Sequence, residues 1–268
     1  VDLRHGRERY LRSGTYDRPV DAITPGSPVQ ADAGIPGECI LETPQLRAWD
    51  VGRMAYADAY ALQLSLHVQL VAARETGARP ATLLLLEHDP PVVTVSRRPS
   101  APGNVLLSRE ALAARGVELA ETDRGGDVTW HGPGQLVGYA IADLNAAGLR
   151  IHGWMRLLEE CVISTVAQWG IPGARDESAT GVWVGGEGGK GGRKICALGV
   201  RVSRWCTFHG LALNVAPDLR HFDAIVPCGL AGRPVTSMEA ELGGAGCAPP
   251  MAHVKRTLAR AFADALVR

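Results

Sequence analysis

Residues 182–202 read Val182-Trp183-Val184-Gly185-Gly186-Glu187-Gly188-Gly189-Lys190-Gly191-Gly192-Arg193-Lys194-Ile195-Cys196-Ala197-Leu198-Gly199-Val200-Arg201-Val202. Two apolar runs, Val182 to Val184 and Ile195 to Val202, flank a glycine linker, which is the pattern of a β-hairpin. A helical segment of about Met155 to Trp169, closed by Gly170 and Pro172, precedes it. A doubly wound parallel sheet needs a helix between successive strands, whereas a hairpin has none. The pattern therefore predicts an α/β (mixed α+β) fold, not a doubly wound parallel one.

The same alternation continues outward. From Met54 to about Glu75, Tyr56, Tyr60, Leu64, Val68 and Val71 recur near helical spacing, and Gly77 with Pro80 ends the segment. Ala81 to Glu87 and Val92 to Val95 read as two strands joined by a turn at Asp89-Pro90-Pro91. Ser108 caps a short helix that stops at Gly116, and Val117 to Ala120 and Leu136 to Ile141 are strand-like. A last helix covers about Met251 to Leu266. Residues 1–38, rich in Arg, Asp, Pro and Gly without an apolar period, are expected to be a poorly ordered extension, and 39–268 the functional domain.

Composition narrows the function. Lys+Arg and Asp+Glu both total 28, and no basic run stands out, so the chain carries no footprint for nucleic acid. No apolar stretch reaches membrane-spanning length, and the N-terminus lacks the order of a secretory signal, so the expectation is a cytoplasmic protein without a membrane partner. The six cysteines, at 39, 161, 196, 206, 228 and 247, are scattered through a long chain, which argues for free thiols.

Against this background Lys194 stands out. It is one of three lysines in a chain that otherwise meets its need for positive charge with arginine. A lysine amine can lose a proton where a guanidinium cannot, so it can serve as a base. A thiol needs such a partner, because an unassisted cysteine, with pKa about 8.5, is mostly protonated at neutral pH. Cys228, in Val226-Pro227-Cys228-Gly229, sits where a turn can expose sulfur. Cys196 competes for the role, since positions 194 and 196 of one strand share a face.

The segment Arg124-Gly125-Gly126-Asp127-Val128-Thr129-Trp130-His131-Gly132-Pro133-Gly134-Gln135 places polar side chains among glycines between two strands. Glycines let a ligand approach main-chain N–H groups, which suits an acyl carbonyl or its oxyanion. A second block, His209-Gly210-Leu211-Ala212-Leu213-Asn214, sets small apolar residues beside a histidine at a strand end, where they can wall a hydrocarbon pocket. His209 and His131 are individually second-rank candidates. Cys206 and His209, with Cys196, His221 and Cys228, are ligand types for zinc, but no second close pair accompanies them, so no metal is expected. The glycines around Lys190 imitate a phosphate loop but lack its glycine at Val184 and its hydroxyl at Gly191.

These blocks resemble the lipoyl(octanoyl) transferase family of lipoate biosynthesis. Arg124 through Gln135 matches that family's R-G-G-x-x-T-[YW]-H-G-P-G-Q, the Lys194 to Gly199 region its G-x-K-x-x-x-L-G, His209 through Asn214 its H-G-L-A-L-N, and Ile225 through Gly229 its I-V-P-C-G. Order and spacing agree over about residues 50 to 245. The resemblance implies a fold like the catalytic domains of biotin and lipoate protein ligases, a mixed sheet flanked by helices. It implies transfer of an octanoyl group from the phosphopantetheine thiol of acyl carrier protein to Cys228, activated by Lys194. From there the group would pass to a lysine of lipoyl domains, those of 2-oxoacid dehydrogenase complexes and of the glycine cleavage H protein. Neither metal nor ATP is implied. By the same mapping Arg124, Gly125, Gly126, Asp127, Val128, Thr129, Trp130 and His131, with Ala197, Leu198, Gly199, Gly210, Leu211 and Ala212, line the acyl pocket.

This chain departs from the family pattern in the extra glycines before Lys194, in Ala140 where the family often has proline, and in its N-terminal extension. The competing readings are an ATP-dependent lipoate or biotin ligase, which shares the architecture, a non-catalytic acyl-binding module, and a Cys/His hydrolase.

Overall fold

The computed structural model describes residues 34–267 apart from 78, 187–190 and 228–231. Most of the expected extension, the centre of the glycine linker with Lys190, and Cys228 lie outside the described residues. In chain order the first half comprises β1 (Glu38–Glu42), β2 (Leu46–Met54), α1 (Tyr56–Ala72), β3 (Ala81–His88), β4 (Val92–Ser96), α2 (Arg109–Ala113), β5 (Glu118–Thr122), β6 (Val128–His131) and β7 (Gln135–Ile141). The second half comprises α3 (Ile151–Ala167), β8 (Gly173–Asp176), β9 (Ala179–Val184), β10 (Arg193–Ser203), β11 (Cys206–Asn214), α4 (Met238–Glu241) and α5 (Met251–Leu266).

Eight strands make one mixed sheet in the order β1-β2-β3-β7-β11-β10-β9-β8, and β5-β4-β6 make a small second sheet. In the large sheet β2 and β3 are parallel, joined through α1 as a parallel pair requires, and the other described pairs are antiparallel. The run Leu83-Leu84-Leu85-Leu86 shows why β3 is central. Leu83 and Leu85 point into the core under α3 and α5, while Leu84 and Leu86 point into the core under α1. A strand covered on both faces has no solvent side, so its sequence runs apolar instead of alternating. A third core, with Val93, Val128, Trp130 and Phe222, lies behind the small sheet.

The two strands expected on either side of Asp89-Pro90-Pro91 are present, and that corner passes the chain from the large sheet to the small one. Other expectations are corrected in detail. The polar glycine block is not a continuous loop, because β6 runs through it and pairs with β4. The buried stripe of α1 is Tyr56, Ala59, Gln63, Leu66, His67 and Leu70, rotated from the apolar set read in the sequence, and two of its members are polar. Gln63 is buried to accept a hydrogen bond from the main-chain N–H of His209 at 2.8 Å. His209 has φ of 60°, a left-handed conformation that takes its N–H away from the usual strand direction. It also lies within β11, not at a strand end.

Candidate active site

The site lies where the small sheet meets the large one. Gly125 N–H donates to the carbonyl of Val200 on β10 at 2.9 Å, stitching the two together. The approach needs glycine: a Cβ on Gly199 would lie 2.7 Å from the Gly125 carbonyl oxygen, and one on Gly210 2.2 Å from that of Gly138. Between the sheets is a partly open cavity.

Eleven of the fourteen residues expected around an acyl chain line it: Arg124, Gly126, Asp127, Thr129, His131, Ala197, Leu198, Gly199, Gly210, Leu211 and Ala212. The alternation of β6 explains two that do not, because Val128 and Trp130 face the core behind the small sheet while Thr129 and His131 face the cavity. Gly125 is the stitch itself. Tyr56, Tyr139 and His209 complete the wall. Sequence reading missed the two tyrosines because each stands at an apolar position of a helix or strand, where an aromatic ring reads as core.

Lys194 lines a second, smaller space together with Gln135, Asn214, Phe222, Pro227 and Val235. Thr129, Ala197 and Ala212 border both spaces, so the lysine end adjoins the larger cavity. Lys194 is 6% exposed, and its Nζ sits 4.6 Å from the ring centroid of Trp183, its cross-strand partner on β9. Cys228 lies outside the described residues, but both chain segments leading to it are anchored here. On the entry side Val226 N–H donates to the Asn104 carbonyl at 2.7 Å, and Asn104 is in turn held by Asp127 at 2.7 Å. On the exit side Lys194 N–H donates to the Pro234 carbonyl and Thr236 N–H to the Lys194 carbonyl, each at 2.9 Å.

A polar chain joins the two spaces. Gln135 accepts from His131 Nδ1 at 2.7 Å and donates to Asn214 at 2.9 Å, and Asn214 donates to the Thr236 carbonyl at 2.9 Å. Acceptor-only partners fix the histidine tautomers. His88 donates from Nδ1 to the Met54 carbonyl at 3.0 Å, leaving Nε2 to accept from Tyr139 at 2.7 Å. His209 donates from Nε2 to Asp123 at 2.9 Å. Burial holds His88 down at about 4, and burial likewise lowers His131 and His209, so these rings are neutral near pH 7. Burial pushes Asp123 up, but hydrogen bonds from His209 and Tyr60 and the charge of Arg201 bring it below the usual carboxylate range.

Cys196 does not share the lysine's surroundings. The β9–β10 register slips between Lys194 and Cys196, so alternation across that step fails, and Cys196 is fully buried in the core under α3 and α5. Burial pushes the Cys206 thiol up to about 11. Among the described residues no three of His, Cys, Asp and Glu converge to hold a metal ion, and no helix is long and apolar enough to cross a membrane.

Past residue 231 the chain is pinned by Arg233, which stacks 3.7 Å from the Trp183 ring centroid and pairs with the buried carboxylate of Asp176. Its hydrogen bond lowers Asp176 to about 2. A depressed carboxylate contributes stability that is present above its unfolded pKa, about 4, and is lost as pH falls through the folded value. Arg233→Met is therefore expected to lower stability by roughly 2 kcal/mol at pH 7 and to flatten the acid limb between about pH 4 and 2. Thermal midpoints measured across that window check it; an acid limb as steep as that of the wild type would refute the assignment.

A family model described as lipoyl protein ligase A/B catalytic domain matches residues 59–263. An octanoyltransferase of Acidobacterium capsulatum is 50% identical over 199 residues, covering 72% of this chain and 78% of the relative. One from Myxococcus xanthus is 44% identical over 217 residues, 81% of this chain; the alignment spans only 58% of that relative's length. Among solved structures, the bipartite lipoate protein ligase of Thermoplasma acidophilum, solved in a study that includes its E2 lipoyl domain, superposes with a TM-score of 0.58 at 18% identity, covering 87% of this chain and 85% of that one. At that identity the likeness establishes the fold alone, and the architecture agrees with the mixed sheet and flanking helices expected from sequence.

Proposed function

The chain belongs to the octanoyltransferases of the lipoyl protein ligase A/B catalytic-domain family, and on that premise we propose that it moves an octanoyl group from acyl carrier protein to a lysine of lipoyl domains through a thioester on Cys228. One observation carries the reading: Lys194 occupies a buried space that adjoins a cavity walled by Ala197, Leu198, Leu211 and Ala212 and is bordered by Pro227, the residue before Cys228.

Lys194 takes the proton of Cys228, and the thiolate attacks the thioester carbonyl of the phosphopantetheine-bound octanoyl group. Main-chain N–H groups offer the donors for the oxyanion, and the carrier thiol leaves with a proton returned by Lys194. In the second half the acceptor lysine, its proton removed by Lys194, attacks the acyl-enzyme; the C–S bond breaks, the amide forms, and Cys228 leaves as a thiolate that recovers its proton from Lys194. Exchange of one thioester for another is close to isoenergetic and conversion to an amide is downhill, so the sequence of steps draws on no nucleotide. The walls of Leu198, Gly199, Gly210 and Leu211 suit hydrocarbon. At about 0.8 kcal/mol per CH₂, an eight-carbon chain would be favoured over a four-carbon one by roughly 3 kcal/mol. The acceptors on this reading are the lipoyl domains of 2-oxoacid dehydrogenase complexes and the glycine cleavage H protein, and the location is the cytoplasm, where thiols such as Cys228 stay reduced.

Intact mass after incubation with octanoyl carrier protein, without ATP, tests the reading. The expected result is a single octanoyl adduct on Cys228, discharged on addition of an apo lipoyl domain, which gains the same mass. A strict ATP requirement with no adduct would replace it with the ligase reading. Binding of octanoyl analogues without transfer would leave an acyl-binding module, and release of free octanoate a hydrolase.

A further inference from the structure

We propose that the rings of Tyr56, Tyr139 and His209 form the stop that limits the length of the acyl chain, an inference that rests on the octanoyl reading of the cavity and deepens it. The reactive end is marked by Thr129, Ala197 and Ala212, which the cavity shares with the space around Lys194. Tyr56 and His209 line only the larger cavity. Ala197 pairs with Ala212 and Val200 with His209, so the histidine stands three residue steps along the strands from the shared border. At a rise of about 3.3 Å per residue that is roughly 10 Å, comparable to an extended eight-carbon chain.

The wall is fixed as well as placed. Tyr56, Tyr139 and His209 are 3%, 4% and 2% exposed. Tyr56 donates to Thr122 at 2.8 Å, Tyr139 bonds His88 at 2.7 Å, and His209 bonds Asp123 at 2.9 Å while stacking on Tyr60 with ring centroids 5.5 Å apart. A longer chain running in this direction presses on rings held by buried hydrogen bonds, and leaving one of those groups unsatisfied costs about 1–3 kcal/mol, enough to offset the roughly 0.8 kcal/mol that one extra methylene returns. Burial keeps His209 and the adjoining His88 neutral, so a methyl end meets uncharged ring surface despite the histidines.

Loading of Cys228 by carrier proteins bearing even-numbered chains from butanoyl to tetradecanoyl, followed by intact mass, reads the stop directly. In the wild type, loading should fall steeply beyond octanoyl or decanoyl. Tyr56→Ala should raise the ratio of dodecanoyl to octanoyl loading at least about tenfold, and Tyr139→Leu should move it in the same direction. A wild type that loads tetradecanoyl as fast as octanoyl overturns the stop without any variant. So does a folded Tyr56→Ala or Tyr139→Leu protein, judged by circular dichroism and thermal midpoint, that keeps the wild-type profile. A wild type that loads no chain of any length overturns the octanoyl reading instead.

Discussion

Replacing Cys228 by alanine is expected to abolish octanoyl transfer, with a fall in kcat of at least about 10⁴-fold and no detectable acyl-enzyme. Removing a nucleophile that forms a covalent intermediate leaves only positioning and electrostatic stabilisation, which supply a small residue of the rate. The other thiols cannot take over. Cys196 is fully buried in the core under the helices, away from Lys194's space, Cys161 is buried with its thiol pushed up by desolvation, and Cys206 is raised to about 11 by burial. Cys39 and Cys247 are exposed, so they react with alkylating agents whatever the mechanism, and alkylation alone is an ambiguous probe. Acyl loading is not ambiguous. Intact mass and peptide mapping on Cys228→Ala should find no octanoyl adduct, and Cys228→Ser should load far more slowly than wild type because a hydroxyl is a much weaker nucleophile near neutral pH. An adduct on Cys196 in Cys228→Ser, or undiminished transfer by Cys228→Ala, would move the nucleophile elsewhere.

How far the sequence discloses this site depends on whether a feature is local. The Leu83 to Leu86 run and the Val182–Val202 hairpin are legible because one strand's burial on both faces, or one glycine linker, suffices to specify them. The rotation of α1 is not local. Gln63 turns inward because the N–H of His209, 146 residues away, needs an acceptor once its φ is positive, and no periodicity of apolar residues can register that. The slip between Lys194 and Cys196 likewise defeats strand alternation, which is why Cys196 reads in sequence as a rival to Cys228. The cavity itself is a gap between two sheets whose closeness depends on Gly125 meeting Val200 and Gly199. Each glycine is visible in the sequence, but their pairing is not. Gln135 and Asn214 close the two polar blocks as written, so a signal for them existed, and it becomes interpretable only when the strands bring them within 2.9 Å.

The second large effect is at Lys194. Lys194→Met keeps a long unbranched side chain for this buried position and leaves the main-chain bonds to Pro234 and Thr236 intact, so the strand and the segment leading back from Cys228 should hold. What it removes is the amine. Loss of a positioned general base costs about 10²- to 10⁴-fold, and here the same group serves both half-reactions, so loading of Cys228 and discharge to the acceptor lysine should slow together. Lys194→Arg should fare no better, because a guanidinium stays protonated and cannot accept a proton from a thiol or an ammonium. A structural cation would behave oppositely: arginine would rescue it, and the stack against Trp183 would persist. The pH dependence separates the two roles further. Without the base, Cys228 must ionise to solvent, so loading by Lys194→Met should climb with pH through the ordinary thiol range near about 8.5, whereas the wild type should load well below it. Single-turnover loading measured from pH 6 to 9.5 decides the matter. A Lys194→Met enzyme within a few-fold of wild type across that range, or an arginine variant restored to wild-type rate, would leave Lys194 as packing and charge and require another base for the thiol.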